Sequence, residues 1–437
     1  MQLLNTLSNL PDDVLISVFS LLSIKEALRL SVVSKRLAAV WRFSLVFNFD
    51  GLKMTPNYYH DDYNERFYKN RSKYINSINQ IINSHKGSTL HEFRVKYMLD
   101  IFCMNHVDRW INFAFKKKGI QTLDLDLSQD HIGWPSEQLS PKFPQHCCDY
   151  ITTIEGTSNI KFLKLLSIRS INVSSHIIHH ILSNCEFLEH LQVEGSYTLT
   201  TLNVVGRSVL RLKTLKIVCC RVESMEICAP NLVTFKYYGA NMNFQIRNSG
   251  SLVNVDIGGT THVCMPTAFL KLSSYLSGLR TLRLNASIEQ ITNLKNLPQL
   301  INLKQLVISS SIEKEVSTLL GVTHLIMAAP FLHSFSLQLG LRKTGATNRV
   351  LKAAEGVHRC LQIVELVGFY GRPIDMEFLT FLIEKVESLH KIIINSCPSH
   401  QLRLPPSQKK TTPNKKQGRR MAFELKQKLT SLDIIIL

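Results

Sequence analysis

One short motif recurs along most of the chain and limits what the chain can fold into. It consists of an apolar residue, two variable residues, a second apolar residue, one variable residue and a third apolar residue. It begins at twelve positions: Leu90, Ile120, Leu163, Leu188, Leu212, Leu232, Leu252, Leu279, Leu303, Leu332, Leu361 and Leu389. Such alternation predicts a short strand with one buried face, and a unit this short cannot bury that face without neighbours. The chain is therefore predicted to stack these units side by side as parallel strands.

From Leu163 onward the motifs start 20 to 29 residues apart, a period that indicates leucine-rich repeats. The predicted fold class is α/β, a curved leucine-rich-repeat solenoid with a parallel concave sheet over residues 87–400. Segments between the strands should form the outer layer, and residues 174–187 have the apolar spacing of a helix. Because the repeats differ in length, we expect this layer to mix helices, turns and strands.

A compact group of helix signals precedes the repeats, at residues 10–41. Pro11 suits a first helical turn because it lacks the N–H that would have no partner there. Ser23 and Glu26 have the spacing of a capping box, and Ser34 is placed to cap a third helix. Three helices in so short a segment bury little surface by themselves. We therefore expect the segment to complete its core against a neighbouring domain or a partner.

The order of residues in this segment resembles the plant F-box motif. Leu-Pro-Asp-Asp begins at Leu10, Lys-Glu-Ala follows at Lys25, and Ser-Val-Val-Ser-Lys-Arg precedes Trp41. The resemblance places a small three-helix F-box at residues 7–45. It implies docking on a Skp-family adaptor, which connects an F-box protein to the cullin and RING subunits of an SCF ubiquitin ligase. The residues that it assigns to docking, or to fixing the helices that dock, are Leu10, Pro11, Val14, Leu15, Val18, Phe19, Ser34, Arg36 and Trp41.

Two later stretches resemble plant F-box proteins with leucine-rich repeats. Residues 212–239 contain a cysteine at a strand end followed by Ala-Pro-Asn-Leu, as in those repeats. Residues 361–394 resemble the FBD module, with a strand, a Gly-x-x-Gly turn, a helix and a strand, which places that module at about 355–397. Residues 46–86 match no known motif, and their polar composition predicts a connector between the F-box and the first repeat.

The formal net charge of +18 is partly concentrated near the end of the chain. Residues 401–420 hold seven basic residues and no acidic one, and their prolines predict a disordered basic linker. Its basic clusters have the composition of a nuclear localisation signal. The other basic residues are spread singly, without the interleaved aromatic residues of a nucleic-acid platform, so nucleic acid is not expected as a partner. Residues 421–437 predict a helix and a strand that cap the solenoid.

Several classes of function find no support in the sequence. The ten cysteines include no Cys-x-x-Cys pair, so they are interpreted as buried thiols. His176, His179 and His180 lie near Cys185 on a predicted amphipathic helix, where packed or surface histidines are expected rather than metal ligands. No catalytic motif is present, and we predict no catalytic residue, cofactor or metal. No apolar segment approaches the ~20 residues that span a bilayer, so no membrane is expected as a partner and the protein is expected in the cytoplasm, the nucleus or both.

Function is therefore predicted to lie in surfaces. In each motif, the residues on either side of the second apolar position point to the opposite face of the sheet. On that concave face Lys216, Lys236 and Arg283 are predicted to form a basic centre, which suits a protein substrate with an acidic or phosphorylated segment.

The sequence thus predicts a non-catalytic substrate-recognition subunit of an SCF-type E3 ubiquitin ligase. Its F-box would bind the Skp-family adaptor, and its repeat surface would bind a protein substrate of unknown identity. Two alternatives stay open: a leucine-rich-repeat interaction scaffold with a degenerate F-box, since Leu37 and Ala38 depart from the motif, and a small-molecule co-receptor.

Overall fold

The computed structural model describes residues 10–51, 65–128, 160–239, 243–259, 265–292, 294, 297–313, 319–342, 352–402 and 412–437. The chain divides into two compact units, Met1–Ala229 and Pro230–Leu437, and each is described by itself.

The first unit begins with helices and continues as a parallel sheet. Its described α-helices are α1 (Asp12–Leu21), α2 (Ile24–Ser31), α3 (Lys35–Val40), α4 (Glu65–Ser84), α5 (Met104–Lys116) and α6 (Ser175–Asn184). Its described strands are β1 (Val46–Asp50), β2 (Glu92–Lys96), β3 (Thr122–Asp126), β4 (Leu165–Arg169), β5 (His190–Glu194), β6 (Thr201–Val204), β7 (Thr214–Val218) and β8 (Ser224–Cys228). The sheet has the order β1-β2-β3-β4-β5-β7, while β6 pairs with β8 outside it.

The second unit also contains a parallel sheet, which has more strands than that of the first unit. Its described α-helices are α7 (Met265–Leu272), α8 (Ile288–Thr292), α9 (Thr323–Met327), α10 (Pro373–Lys385) and α11 (Pro413–Lys428). Its described strands are β9 (Thr234–Gly239), β10 (Phe244–Arg247), β11 (Asn254–Gly259), β12 (Thr281–Asn285), β13 (Gln305–Glu313), β14 (Ser334–Arg342), β15 (Ile363–Val367), β16 (Lys391–Asn395) and β17 (Asp433–Ile436). The order in its parallel sheet is β9-β11-β12-β13-β14-β15-β16-β17.

Every predicted motif contains a strand, which begins two residues after the first apolar position of the motif. The strands pair in register, so that Leu282 of β12 lies opposite Val255 of β11 and Leu306 of β13. All three side chains are buried. Burying one such side chain contributes about 1.5–3 kcal/mol, so the stacked motifs supply much of the stability of each unit. The predicted α/β class with a parallel sheet is confirmed.

The described part of residues 46–86, for which the sequence predicted a connector, contains regular secondary structure. It includes β1 and α4, and β1 pairs with β2 so that Val46 lies opposite Glu92. The motif was missed because Ser44 occupies the position of its first apolar residue. Ser44 is buried, and its carbonyl oxygen lies 3.1 Å from Nε2 of His85. The Ser44 hydroxyl donates to the carbonyl oxygen of Val46 at 3.3 Å, so a local hydrogen bond stands where the twelve predicted motifs have an apolar side chain.

Residues 401–420 also differ from the predicted disordered linker. The part at 403–411 lies outside the described residues, but α11 begins at Pro413 and therefore includes the last residues of that segment. Thr412 caps the helix, with 3.3 Å between its Oγ1 and the amide nitrogen of Lys415. Local capping and burial of one helix face, which includes Ala422, hold a segment whose composition alone favoured disorder.

The FBD-like region has the strand, turn, helix and strand order of β15, the glycine turn, α10 and β16. Gly368 and Gly371 adopt φ values of +75° and +69°, a region that residues with a Cβ rarely enter. The buried carboxylate of Asp375 accepts hydrogen bonds from the amides of Tyr370 and Arg372, at 3.1 and 3.2 Å. The same carboxylate thus fixes the turn and begins α10.

Candidate protein-interaction sites

Local hydrogen bonds set the ends of the N-terminal helices. The amide of Glu26 donates to Oγ of Ser23 at 3.4 Å, and the amide of Ser23 donates to Oε2 of Glu26 at 2.9 Å. This is the capping box that the spacing of these residues predicts. Ser34 caps α3, accepting from the amide of Leu37 at 3.1 Å.

Three of the residues that the F-box resemblance assigns to docking form the core of this segment. Leu15, Phe19 and Trp41 are 1%, 2% and 8% exposed. Their burial fits a role in fixing the helices and leaves them little surface for a partner. Leu10, Val18 and Ser34 are half-buried, while Pro11, Val14 and Arg36 are exposed.

Arg36 connects the last of the three helices to the first. Its Nε and Nη2 lie 3.1 and 2.6 Å from Oδ1 of Asp12, and Nη2 also donates to the carbonyl oxygen of Leu10 at 2.6 Å. The start of α1 is therefore held against α3 by a charged side chain that makes several hydrogen bonds.

The structure also exposes apolar side chains that the sequence reasoning did not select. Leu21, at the end of α1, is 87% exposed, and Val32 and Val33, just after α2, are 85% and 49% exposed. Leu28 on α2 is 37% exposed. A signal was present in the sequence, because Leu21 lies off the helical face that carries Leu15 and Phe19. These four side chains, Leu21, Leu28, Val32 and Val33, are grouped by their exposure and are called the exposed F-box cluster below.

On the face of the first unit's sheet that carries polar side chains, charges alternate in sign from strand to strand. Lys96, Asp126, Arg169 and Glu194 occupy facing positions on β2 to β5. Nη1 of Arg169 lies 2.8 Å from Oδ2 of Asp126, and its Nε lies 3.9 Å from Oε2 of Glu194. The charges on this face therefore largely neutralise one another.

The predicted basic residues of the concave face lie in different units. Lys216 is half-buried on β7 of the first unit, opposite Gln192. In the second unit Asp256 lies between Lys236 and Arg283 in the register of the sheet, and Nζ of Lys236 lies 2.9 Å from its Oδ2. Arg283 is exposed. Because Lys236 is paired, the second unit's part of the predicted basic centre carries less free charge than the sequence implied.

The histidines and cysteines of the described ranges form no metal site. The rings of His176 and His180 on α6 lie nearly parallel, with centroids 6.2 Å apart. No group of three or more His, Cys, Asp or Glu side chains in the described part of the chain is placed to hold a metal ion. Burial raises the pKa of Cys185 to about 12, so its thiol is protonated and unreactive near neutral pH.

Two sequence profiles match the chain. The profile described as the At1g61320/AtMIF1 LRR domain matches residues 81–433, which include α11, and that of the F-box domain matches residues 7–48.

Among curated relatives from Arabidopsis thaliana, F-box/LRR-repeat protein At3g03360 is 24% identical over 319 residues, 69% of this chain and 61% of that protein. Putative F-box/LRR-repeat protein At1g56400 is 25% identical over 262 residues, 55% and 52% of the two chains. Putative F-box/FBD/LRR-repeat protein At5g62970 is 23% identical over 305 residues, 63% and 65% of the two chains. The chain thus spans about half to two thirds of the length of these relatives.

Because the repeat profile covers more than half of the chain, the protein belongs to the plant F-box/LRR-repeat family. Members of this family are typically non-catalytic adaptors, in which the F-box generally binds a Skp-type adaptor and the repeats bind substrates. Within the described ranges, no helix has both the length and the apolar character needed to cross a bilayer.

Proposed function

We propose that this chain is a substrate-recognition subunit of an SCF-type E3 ubiquitin ligase, acting in the cytoplasm, the nucleus or both. The F-box binds a Skp-family adaptor, which links the chain to cullin and RING subunits, and the repeat units bind a protein substrate. The chain itself carries out no chemistry. It acts by holding the substrate close to the ubiquitin-loaded enzyme, which raises the effective concentration of the two reactants.

The observation that carries this proposal is the exposed F-box cluster. The helices of the F-box have a well-packed interior, yet Leu21 and Val32 are among the most exposed large apolar side chains described. Burying one such side chain at an interface contributes about 1.5–3 kcal/mol before the costs of association. An adaptor surface that covers Leu21 or Val32 therefore gains hydrophobic contact without rearranging the F-box core.

The Arg36 contacts are a second observation that supports the same proposal. They fix the Leu10–Pro11 step, with which the F-box motif begins, against α3. A surface that is held in one conformation before binding loses less conformational entropy when its partner arrives.

The test is a double substitution, Leu21→Asp with Val32→Asp, in the full chain. Because both side chains are exposed, the melting temperature should stay within a few degrees of wild type. Truncating central apolar contacts often costs more than about 2 kcal/mol, or roughly thirtyfold in affinity, and introduced charges cost more. We expect the variant to stop co-purifying with a Skp-family adaptor.

The matched control is Leu270→Asp, since Leu270 on α7 of the second unit is 75% exposed. It makes the same chemical change on an exposed helical surface outside the F-box, and adaptor binding should be unaffected. Wild-type adaptor binding by a folded Leu21→Asp, Val32→Asp variant would refute the assignment.

A further inference from the structure

A row of polar residues runs along the edge of the second unit's sheet where the strands begin. Arg280, Lys304, His333 and Gln362 immediately precede β12, β13, β14 and β15. The amides of Lys304, His333 and Gln362 each donate to the carbonyl oxygen of the preceding member of the row, at 2.9 Å in all three cases. The four side chains are thus held on adjacent strands, which lie about 4.8 Å apart in a sheet.

This edge borders an open cavity of about 770 Å³. Arg280, Lys304 and His333 line it together with Arg359, which lies in the loop before β15, and Ser334 and Gln362 add hydrogen-bonding groups. None of the described residues that line the cavity is acidic. The cavity is referred to below as the strand-edge groove.

The strand-edge groove also contains an exposed aromatic ring. Phe331, three residues before the start of β14, is 51% exposed. Nζ of Lys304 lies 5.2 Å from the centre of its ring. This cation–π contact holds a positive charge beside an apolar surface.

The cations of the groove differ from those on the sheet face in their pairing. On the sheet face, Nζ of Lys236 lies 2.9 Å from the carboxylate of Asp256. In the described part of the chain, the side chains of Arg280 and His333 have no hydrogen-bond or ion-pair partner. Arg359 does lie near a carboxylate, with its Nε 3.6 Å from Oε2 of Glu387, but both side chains are largely exposed and such a pair is weak. The described lining of the groove therefore carries net positive charge, whereas on the face the charge of Lys236 is neutralised by Asp256.

We propose that the strand-edge groove binds an acidic peptide segment that carries an apolar side chain. Carboxylates of the peptide pair with Arg280 and Lys304, and its apolar side chain packs on Phe331. This inference rests on the proposed function only in taking the segment to belong to a protein brought for ubiquitination, and it moves the substrate site from the sheet face to the sheet edge. The single aromatic ring favours a peptide over single-stranded nucleic acid, which needs successive rings on which to stack bases.

The test measures fluorescence anisotropy of labelled probes with the full chain. The probes are a glutamate-rich peptide with a central leucine, its glutamine counterpart and an oligothymidine. The acidic peptide should bind most tightly. Raising the salt concentration from about 50 to about 300 mM should weaken its binding, because exposed charges are screened. Tighter binding of the oligothymidine would overturn the proposal in favour of a nucleic-acid site, and failure to bind the acidic peptide would overturn it outright.

Charge reversal locates the binding. The double variant Arg280→Glu, Lys304→Glu should lower the affinity for the acidic peptide by about tenfold or more, because two attractions become repulsions. Lys416→Glu with Arg419→Glu changes the net charge equally on the exposed surface of α11 and should leave binding within about twofold. Equal loss in both variants would show a non-specific charge effect and overturn the site.

Phe331→Ser is a second, independent variant that keeps the charge of the groove. It should lower the affinity for the acidic peptide several-fold and preserve the salt dependence of binding. Unchanged binding by this variant would remove the apolar part of the proposal. All three variants should bind the Skp-family adaptor as wild type does. A failure of the groove is therefore distinguishable from a failure of the proposed ligase role, which the F-box variants test separately.

Discussion

Gly418 allows α11 to lie against the glycine turn of the FBD-like region. A Cβ added at this position would lie 2.2 Å from the carbonyl oxygen of Phe369 and 2.9 Å from Cα of Tyr370. Both are backbone atoms, so neither can rotate away as the end of a flexible side chain would. Replacing Gly418 by alanine therefore requires the helix or the turn to move.

Two effects of Gly418→Ala oppose each other. In an unconstrained helix interior, alanine is more stable than glycine by about 0.5–1 kcal/mol. Overpacking a closely packed contact costs about 1–3 kcal/mol, and a clash with backbone belongs at the upper end of that range. We expect a net loss of about 2 kcal/mol, which lowers the melting temperature of a domain of about 200 residues by roughly 4–8 °C.

Thermal unfolding followed by circular dichroism measures this change, and hydrogen exchange should show faster exchange in α11. The matched control is Gly250→Ala in the same unit, because no atom lies within 4 Å of the added Cβ there. The control should stay within about 0.5 kcal/mol of wild type. If Gly418→Ala is as stable as wild type or more stable, helix propensity dominates and the packing argument is refuted.

Two further predictions concern stability. Deleting residues 432–437 removes β17 and the buried Ile434 and uncovers the edge of β16. We expect a loss of stability of roughly 2–3 kcal/mol and more aggregation in light scattering. A truncated chain that melts and scatters like the full chain would contradict this. Burial, and then the charge of Lys117, lower the pKa of His85 to about 4, so stability should be full above about pH 6.5 and fall as the pH drops towards 4. The shift corresponds to about 3 kcal/mol without solvent screening and to roughly 2 kcal/mol with it. Urea unfolding should show that the free energy of unfolding falls less between about pH 7.5 and pH 4.5 in His85→Gln than in wild type. An equal fall would assign the pH dependence to other groups such as His358.

The sequence by itself determined the strands. The apolar pattern places a strand after every motif start because alternation along a strand depends only on residue order, and neighbouring units of similar pattern stack in register. The N-terminal helices were equally legible, since capping by Ser23 and Ser34 acts within one helical turn. The pattern did not reveal β1, because Ser44 replaces its first apolar residue; Ser431 holds the same position before β17, where the apolar run of residues 434–437 gave the signal instead.

Tertiary structure decided which side chains are free to act. Sequence could place Leu15 and Leu21 on one helix, but only packing against the rest of the unit buries the first and exposes the second. Lys236 and Arg280 are both basic residues in the repeat motifs, and residue order does not distinguish them. Lys236 pairs with Asp256 on the neighbouring strand, whereas Arg280 borders the open strand-edge groove. Burial and charge pairing depend on residues distant in the chain, so residue order alone could not supply them.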